Sequence, residues 1–424
     1  MVFDGYDYMV VSYTMPQISA EWTLNKVQTG SLSSWSLFGL IIGGACAGII
    51  SDKLGRRNTL ICSIMAYSLL TIPIYFSTSF EQFALFRVLA GVGLGACIPV
   101  VTTIFSESTP TSRRALFITF GMAWMIVGWV LGGLIPMLLV PRYGWRICYL
   151  IGGVPFLYSV FLYFRMRESA YWLANKGRKR EAVEVLAHIE ITATGKAVRR
   201  DPNALVVPAP PEIVGPKALF SRDYRMITAG LWITYFCGCF TVYGLNAWLP
   251  SLMLEKGFKL TSAYTLAIAN NAAAVLANCL TGFVAEFIGR RPNLIMSYLV
   301  GACSVVLMAF VGGGFTTILA ASVFMGFAIN YAITAVQPLM AEGYPTEFRN
   351  TGVSWCQAFG RVGGALAPIV SGAIMGMQLG MQVSFLFYVI PTMVGAAAAF
   401  LFVKKETKGK SLDQLAQETT QAGC

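Results

Sequence analysis

Apolar residues in this chain fall in long runs, separated by short breaks rich in charge, Gly and Pro. A helix needs about 20 predominantly apolar residues to cross a bilayer core. The runs predict twelve such spans, near 1–19, 28–50, 58–78, 82–106, 115–140 and 144–165, then near 226–252, 261–287, 293–311, 315–341, 349–376 and 380–403. The longest break, 166–225, holds most of the polar residues. Within it, "RESAYWLANKGRKREAVEVLAHIE" combines helical periodicity with dense charge and predicts a surface helix. "DPNALVVPAPPEIVGP" is Pro-rich and predicts an extended linker.

The two sets of six spans repeat each other. "GIISDKLGRR" (Gly48 to Arg57) recurs as "GFVAEFIGRR" (Gly282 to Arg291) at an offset of 234. "ESTPTSRR" (Glu107 to Arg114) recurs as "EGYPTEFR" (Glu342 to Arg349) at 235, and Pro16 matches Pro250 at 234. A parallel repeat of this kind, about an axis normal to the membrane, is a transporter architecture with its substrate site near the midplane. It predicts an all-α membrane protein with a six-helix half over 1–165, a linker over 166–225, a second half over 226–403 and a tail over 404–424. Met1 aligns with Tyr235, whereas span 7 begins near Met226, so the first helix is expected to be truncated.

Composition agrees with the pattern: 56% of residues are hydrophobic and 12% charged. The net charge of +11 does not point to nucleic acid, because the basic residues sit in short loops between apolar runs. With an even number of spans, 24 Lys and Arg fall on one side of the membrane and 5 on the other. The positive-inside rule then puts both termini in the cytoplasm, with the protein in the plasma (inner) membrane. Ten Cys are scattered without metal-ligand spacing, and the single His, His188, lies in the charged linker. No nucleophile–base pair, metal cluster or phosphate loop can be picked out, so neither an enzyme nor a cofactor is expected.

Two copies of G-x-x-x-(D/E)-x-x-G-R-R, together with "RVLAGVGLG" (Arg87 to Gly95) and the repeat, resemble the major facilitator superfamily. The resemblance covers essentially the whole chain. More narrowly, "DGYD", "VYGLNAWLPSL", "YPTEFRNTGVSW" and "GRVGGALAP" resemble the aromatic acid:proton symporters. "RESAYWL", "NKGR" and "ETKGKSL" are shared with sugar porters and with organic-ion and niacin-type transporters.

Charges inside spans carry the functional expectation. Of 20 acidic residues only Asp4 and Asp7 lie well inside a span. At 1.5 Å per residue Asp7 sits about 18 Å from the outer end, near the middle of the core. Arg361 stands about 18 Å above the inner end of span 11. Either charge unpaired in lipid would cost several kcal/mol, so both are expected to face a wet cavity at similar depth in opposite halves. Arg361 is expected to hold a substrate carboxylate through its rigid fork, with Asp7 carrying a proton and Asp4 sharing that role. The resemblance implies the same assignment. A structural Asp–Arg pair fixing helix packing is the alternative.

Asp52, Arg56, Arg57, Glu107 and Arg114, repeated as Glu286, Arg290, Arg291, Glu342 and Arg349, are expected to latch the inner ends of the halves, as the superfamily resemblance implies. Asp52 would accept from a neighbouring helix N-terminus. Arg87 would be structural or part of proton coupling. Glycines 91, 93 and 95 would allow close helix approach. Trp124, Tyr235, Tyr243, Asn246, Asn270, Asn271, Asn330, Gln337, Trp355 and Gln357 are candidate pocket lining, or else packing and interhelical hydrogen bonds. The expected function is proton-coupled symport of an organic anion, a benzoate- or hydroxybenzoate-type carboxylate, by a monomer in the lipid bilayer. A sugar, niacin or other organic-ion porter, sodium coupling and a non-transporting sensor are the alternatives.

Overall fold

The computed structural model describes residues 1–109, 114–195, 201–202, 216–222, 224–345, 348–403 and 406. The described part of the predicted linker stops short of most of "DPNALVVPAPPEIVGP", and the tail lies outside the described residues apart from Glu406.

The described residues are mainly helical: Val2–Glu21 (α1), Lys26–Leu54 (α2), Arg56–Thr71 (α3), Phe80–Ser108 (α4), Arg114–Tyr143 (α5), Arg146–Ile151 (α6), Pro155–Arg165 (α7), Ala170–Asn175 (α8), Lys179–Thr194 (α9), Arg225–Glu255 (α10), Leu260–Ile288 (α11), Arg290–Phe310 (α12), Phe315–Glu342 (α13), Arg349–Gly376 (α14), Met381–Leu386 (α15) and Val389–Phe402 (α16). Among the described residues, eleven stretches are long and apolar enough to cross a membrane. The twelfth span is α1, less apolar because Asp4 and Asp7 lie in its first two turns.

Local chemistry sets several boundaries. Asn25 and Gln28 form a reciprocal cap on α2: the Gln28 amide donates to the Asn25 side chain at 2.8 Å and the Asn25 amide to the Gln28 side chain at 3.1 Å. Ser79 caps α4 by accepting from the Gln82 amide. The sixth span is broken between α6 and α7, where Pro155 brings no N–H to continue the ladder. The predicted single surface helix is two, α8 and α9, separated by a turn at Gly177. Helix starts repeat as the motifs do: Lys26 with Leu260, Arg56 with Arg290, Arg114 with Arg349, Arg146 with Met381.

Packing divides the chain into two compact units that do not follow the six-plus-six halves. The first comprises Met1–Asp7, Phe38–Gly128 and Arg146–Pro210; the second comprises Tyr8–Leu37, Trp129–Trp145 and Pro211–Cys424. Helices α1, α2 and α5 therefore run through both.

In the first unit, α2, α3 and α4 enclose Leu40, Leu60, Ile64, Tyr67, Leu94 and Val100. A Cβ on Gly39 would lie 2.9 Å from the Gly91 Cα, and one on Gly93 2.8 Å from the Tyr67 amide nitrogen, so the glycines of "RVLAGVGLG" let α4 lie directly against α2 and α3. In the same way a Cβ on Gly5 would lie 3.0 Å from the Gly128 Cα, which seats α1 on α5. That explains the glycine inside "DGYD".

In the second unit, α10, α12, α13 and α16 enclose Leu231, Leu294, Tyr298, Val336, Leu339 and Ala399. The Tyr13–Glu21 end of α1 and the start of α2 pack here too. Tyr264 donates to the Tyr13 carbonyl, the Asn271 amide to the Tyr13 hydroxyl at 3.3 Å, and Lys26 pairs with Glu255. A Cβ on Gly30 would lie 2.8 Å from the Pro368 carbonyl carbon, so the α2 and α14 backbones meet at that point.

Candidate functional site

Among the described residues, charged side chains lie well inside spans in both units: Asp4, Asp7 and Arg87 in the first, Arg361 in the second. In the first unit α1 presents Asp7 to α4, and both Asp7 and Arg87 are about 1% exposed. One terminal nitrogen of Arg87 donates to both Asp7 carboxylate oxygens at 3.0 Å. The other donates to the Asp7 carbonyl at 3.1 Å, while the Tyr149 ring lies 5.9 Å from the guanidinium carbon. Tyr6 fixes the same turn of α1, its hydroxyl donating to the Cys148 carbonyl at 2.8 Å. Asp4 is buried one turn away, 2.9 Å from the Met1 ammonium.

The sequence suggested Arg361 as the counterpart of Asp7; the guanidinium that pairs with it belongs to Arg87. The reason is the close seating of α4 in the same unit. A carboxylate buried without a partner is strongly unfavourable, and Arg87 is the cation that this packing brings within bonding distance. The Nε of Arg87 makes no hydrogen bond among the described residues.

In the second unit Arg361 is half-buried on α14. Among the described residues it has no hydrogen bond or ion pair. It lies within electrostatic reach of Tyr235, Cys239 and Tyr243, all on α10. Tyr243 meets Tyr8 edge to face with ring centroids 5.1 Å apart, and Tyr8 lies 6.2 Å from Trp129. Gln337 donates weakly to the Tyr235 hydroxyl at 3.4 Å. Arg361, Tyr243, Tyr235 and Gln337 thus fall in one region of the second unit, a cation within electrostatic reach of two phenols. Tyr8 and Trp129 are additions that the sequence reading missed. Tyr8 follows Asp7 directly in α1 and could have been found by turning the helix one residue, about 100°, to its next face.

Other candidates have separate settings. Asn270 is fully buried and donates to the Ser322 carbonyl at 2.9 Å, an interhelical bond between α11 and α13. Asn271 contacts Tyr13, and Asn330 donates to the Gly326 carbonyl of its own helix. Trp355 is exposed and stacks on Trp232, centroids 6.2 Å apart. Asn246 is buried, Gln357 half-buried, and Trp124 exposed in the first unit.

The G-R-R motifs build a pair of matched turns. Gly55 (φ 94°) and Gly289 (φ 104°) take backbone angles that side chains disfavour, and each turns the chain into a new helix. The exposed amides there bind a carboxylate from further along the chain. Arg56 and Arg57 donate to Glu168 at 2.9 and 3.0 Å, and Arg290 and Arg291 to Glu406 at 2.8 and 3.1 Å. The sequence suggested Asp52 for a cap of this kind. Its carboxylate, on the last turn of α2, instead pairs at 2.7 Å with Arg56, the first residue of α3, because the turn at Gly55 folds the start of α3 back toward it.

Arg56 also binds Glu107 at 3.0 Å, and Arg290 binds Glu286 at 2.6 Å and Glu342 at 3.4 Å. Arg57 and Arg291 bind backbone carbonyls of Met166 and Phe400, and Arg349 that of Tyr344. Each of these pairs stays inside its own six-span half, except that Met166 is the first residue of the linker; the side chain of Arg114 lies outside the described residues. Glu168 and Glu406 were visible in "RESAYWL" and "ETKGKSL", where an acid precedes Ser or Thr in both. Glu168→Ala is expected to lower stability by about 1–2 kcal/mol by stripping the α3 amides of their acceptor. A thermal unfolding midpoint in detergent identical to the unaltered protein would refute this.

Comparison with known proteins agrees with this architecture. The model of the family described as Major Facilitator Superfamily matches residues 1–278 and 231–422. The chain is 30% identical over 401 residues to the gallate transporter of Pseudomonas putida, covering 94% of this chain and 88% of that protein. It is 31% identical to the 4-hydroxybenzoate transporter PcaK of Pseudomonas aeruginosa, covering 94% and 89%. It is 28% identical to the niacin transporter NiaP of Acinetobacter baylyi, covering 98% and 93%. Among solved structures, the inward-open xylose transporter XylE from E. coli superposes with a TM-score of 0.76 at 18% identity, covering 98% of this chain and 97% of that one.

Proposed function

We propose that this chain, which belongs to the Major Facilitator Superfamily, is a secondary transporter that carries an aromatic carboxylate together with protons. The observation that carries the anion reading is Arg361, a half-buried guanidinium without a protein partner among the described residues, within electrostatic reach of Tyr243 and Tyr235. Its planar fork matches a carboxylate with two parallel hydrogen bonds. The aromatic faces around it suit a planar ring. The named transporters of gallate, 4-hydroxybenzoate and benzoate among its relatives support that choice of substrate class.

The coupling reading rests on the Asp7–Arg87 pair. A proton taken up by the Asp7 carboxylate removes one charge of the pair and converts a buried ion pair into a neutral acid beside a buried cation. The attraction holding α1 to α4 weakens, and release of the proton restores it. Asp7 and Tyr8 are consecutive residues of α1, so a shift of α1 that follows protonation is transmitted directly to the ring that touches Tyr243. On this reading the protein works as a monomer in the inner membrane with both termini cytoplasmic; the 24-to-5 division of Lys and Arg between the two sides supports that orientation.

The test is uptake by proteoliposomes holding the purified chain, with an acidic exterior. Labelled benzoate should accumulate above its external concentration, and a protonophore should collapse the accumulation. Pyridine-3-carboxylate and xylose serve as competing substrates. Xylose accumulation that neither acid inhibits would overturn the anion reading, and benzoate accumulation indifferent to the protonophore would overturn proton coupling.

A further inference from the structure

The stretch "GRVGGALAP" sets three glycines around Arg361, and the anion reading uses only the arginine. All three lie against α10. A Cβ on Gly360 would fall 2.6 Å from Cε1 of Tyr235, one on Gly363 2.7 Å from the Phe236 carbonyl oxygen, and one on Gly364 2.8 Å from Cε2 of Tyr243. At Gly363 the obstacle includes backbone, so that glycine serves the helix crossing itself. At Gly364 the nearest atoms all belong to the Tyr243 ring. That ring is held on another side by the edge-to-face contact with Tyr8, whose own neighbour is Trp129. A methyl group at position 364 would therefore push the Tyr243 ring by roughly 1.5 Å, the shortfall of its nearest ring carbon from an ordinary carbon–carbon contact.

We infer that Gly364 is a specificity-determining position for the Arg361 site: with no side chain there, the Tyr243 ring seats against α14 beside the guanidinium and thereby sets the space left for the substrate's ring. The inference rests on the anion reading and deepens it. Gly364 touches no substrate. It is a positioning residue acting through Tyr243, and its effect grows with the bulk of the ring carried by the carboxylate.

The test compares the full chain with Gly364→Ala, Tyr243→Leu and the double variant, using benzoate and 3,4,5-trihydroxybenzoate. Gly364→Ala should raise KM for the trihydroxy acid about tenfold more than for benzoate, as loss of fit by one small group does, with Vmax nearly unchanged. The double variant should bring the ratio of the two KM values back toward that of the unaltered chain, because the ring that the methyl displaces is gone. A uniform fall in Vmax with an unchanged KM ratio would show a purely structural glycine and overturn the inference. Should Gly364→Ala fail to reach the membrane, Tyr243→Leu decides alone: the ratio must shift in favour of the bulkier acid, and an unmoved ratio overturns the inference. An unaltered chain that takes up neither acid defeats the anion reading and this inference with it. Failure of the inference alone leaves both acids transported at a fixed ratio.

Discussion

Arg361→Ala should raise KM for benzoate between about tenfold and a hundredfold, since a charge-assisted hydrogen bond contributes about 1.5–3 kcal/mol. The folded amount and the thermal midpoint should stay close to those of the unaltered chain. Arg361 holds no ion pair among the described residues, so its removal strands no buried carboxylate there. Arg361→Lys keeps the charge but offers a point donor in place of a planar fork, and should fall between the two. Unchanged uptake by Arg361→Ala would remove the carboxylate clamp from the mechanism.

Asp7→Asn should abolish accumulation against a gradient while leaving downhill equilibration of the labelled acid. It should also destabilise the protein by about 3–5 kcal/mol, because a buried guanidinium loses its counter-charge. The two effects separate in a second variant. Asp7→Asn combined with Arg87→Gln removes both buried charges, and should recover most of the lost stability without regaining concentrative uptake. Arg87→Gln alone should be as destabilising as Asp7→Asn. Full proton-driven accumulation in Asp7→Asn would refute the proton role, whatever the thermal midpoint does. A stability equal to that of the unaltered chain in all three variants would mean that the pair contributes nothing to packing.

The relation between Asp7 and Arg87 shows where a linear reading loses information. Both residues stood out in the sequence, Asp7 for its depth and Arg87 for the glycines that follow it. Depth along a helix follows from counting residues, since the rise is constant. Azimuth against a neighbouring helix does not, because it depends on which faces meet, and here glycines on α1, α2, α4 and α5 decide how closely they meet. Arg361 and Asp7 share a counted depth, and that was the ground for setting them opposite each other. The turns at Gly55 and Gly289 illustrate the same limit. Their repeat was legible at once, while the carboxylates that bind their amides arrive from more than 110 residues away.

What the sequence determined by itself is whatever hydrophobicity and periodicity encode: the number of spans, their ends to within a few residues, the twofold repeat of six spans and the loop charges. Each follows from local physics, because a bilayer forces every span to satisfy its own backbone and to be apolar over about 30 Å. What only the tertiary structure decided is partnership. Asp7 bonds Arg87, Glu168 and Glu406 cap the helices after the G-R-R turns, and Tyr8, with Trp129 behind it, meets the Tyr243 ring. A side chain's partner depends on helix rotation and on distances between segments far apart in the chain, and neither is written in the spacing of residues along it.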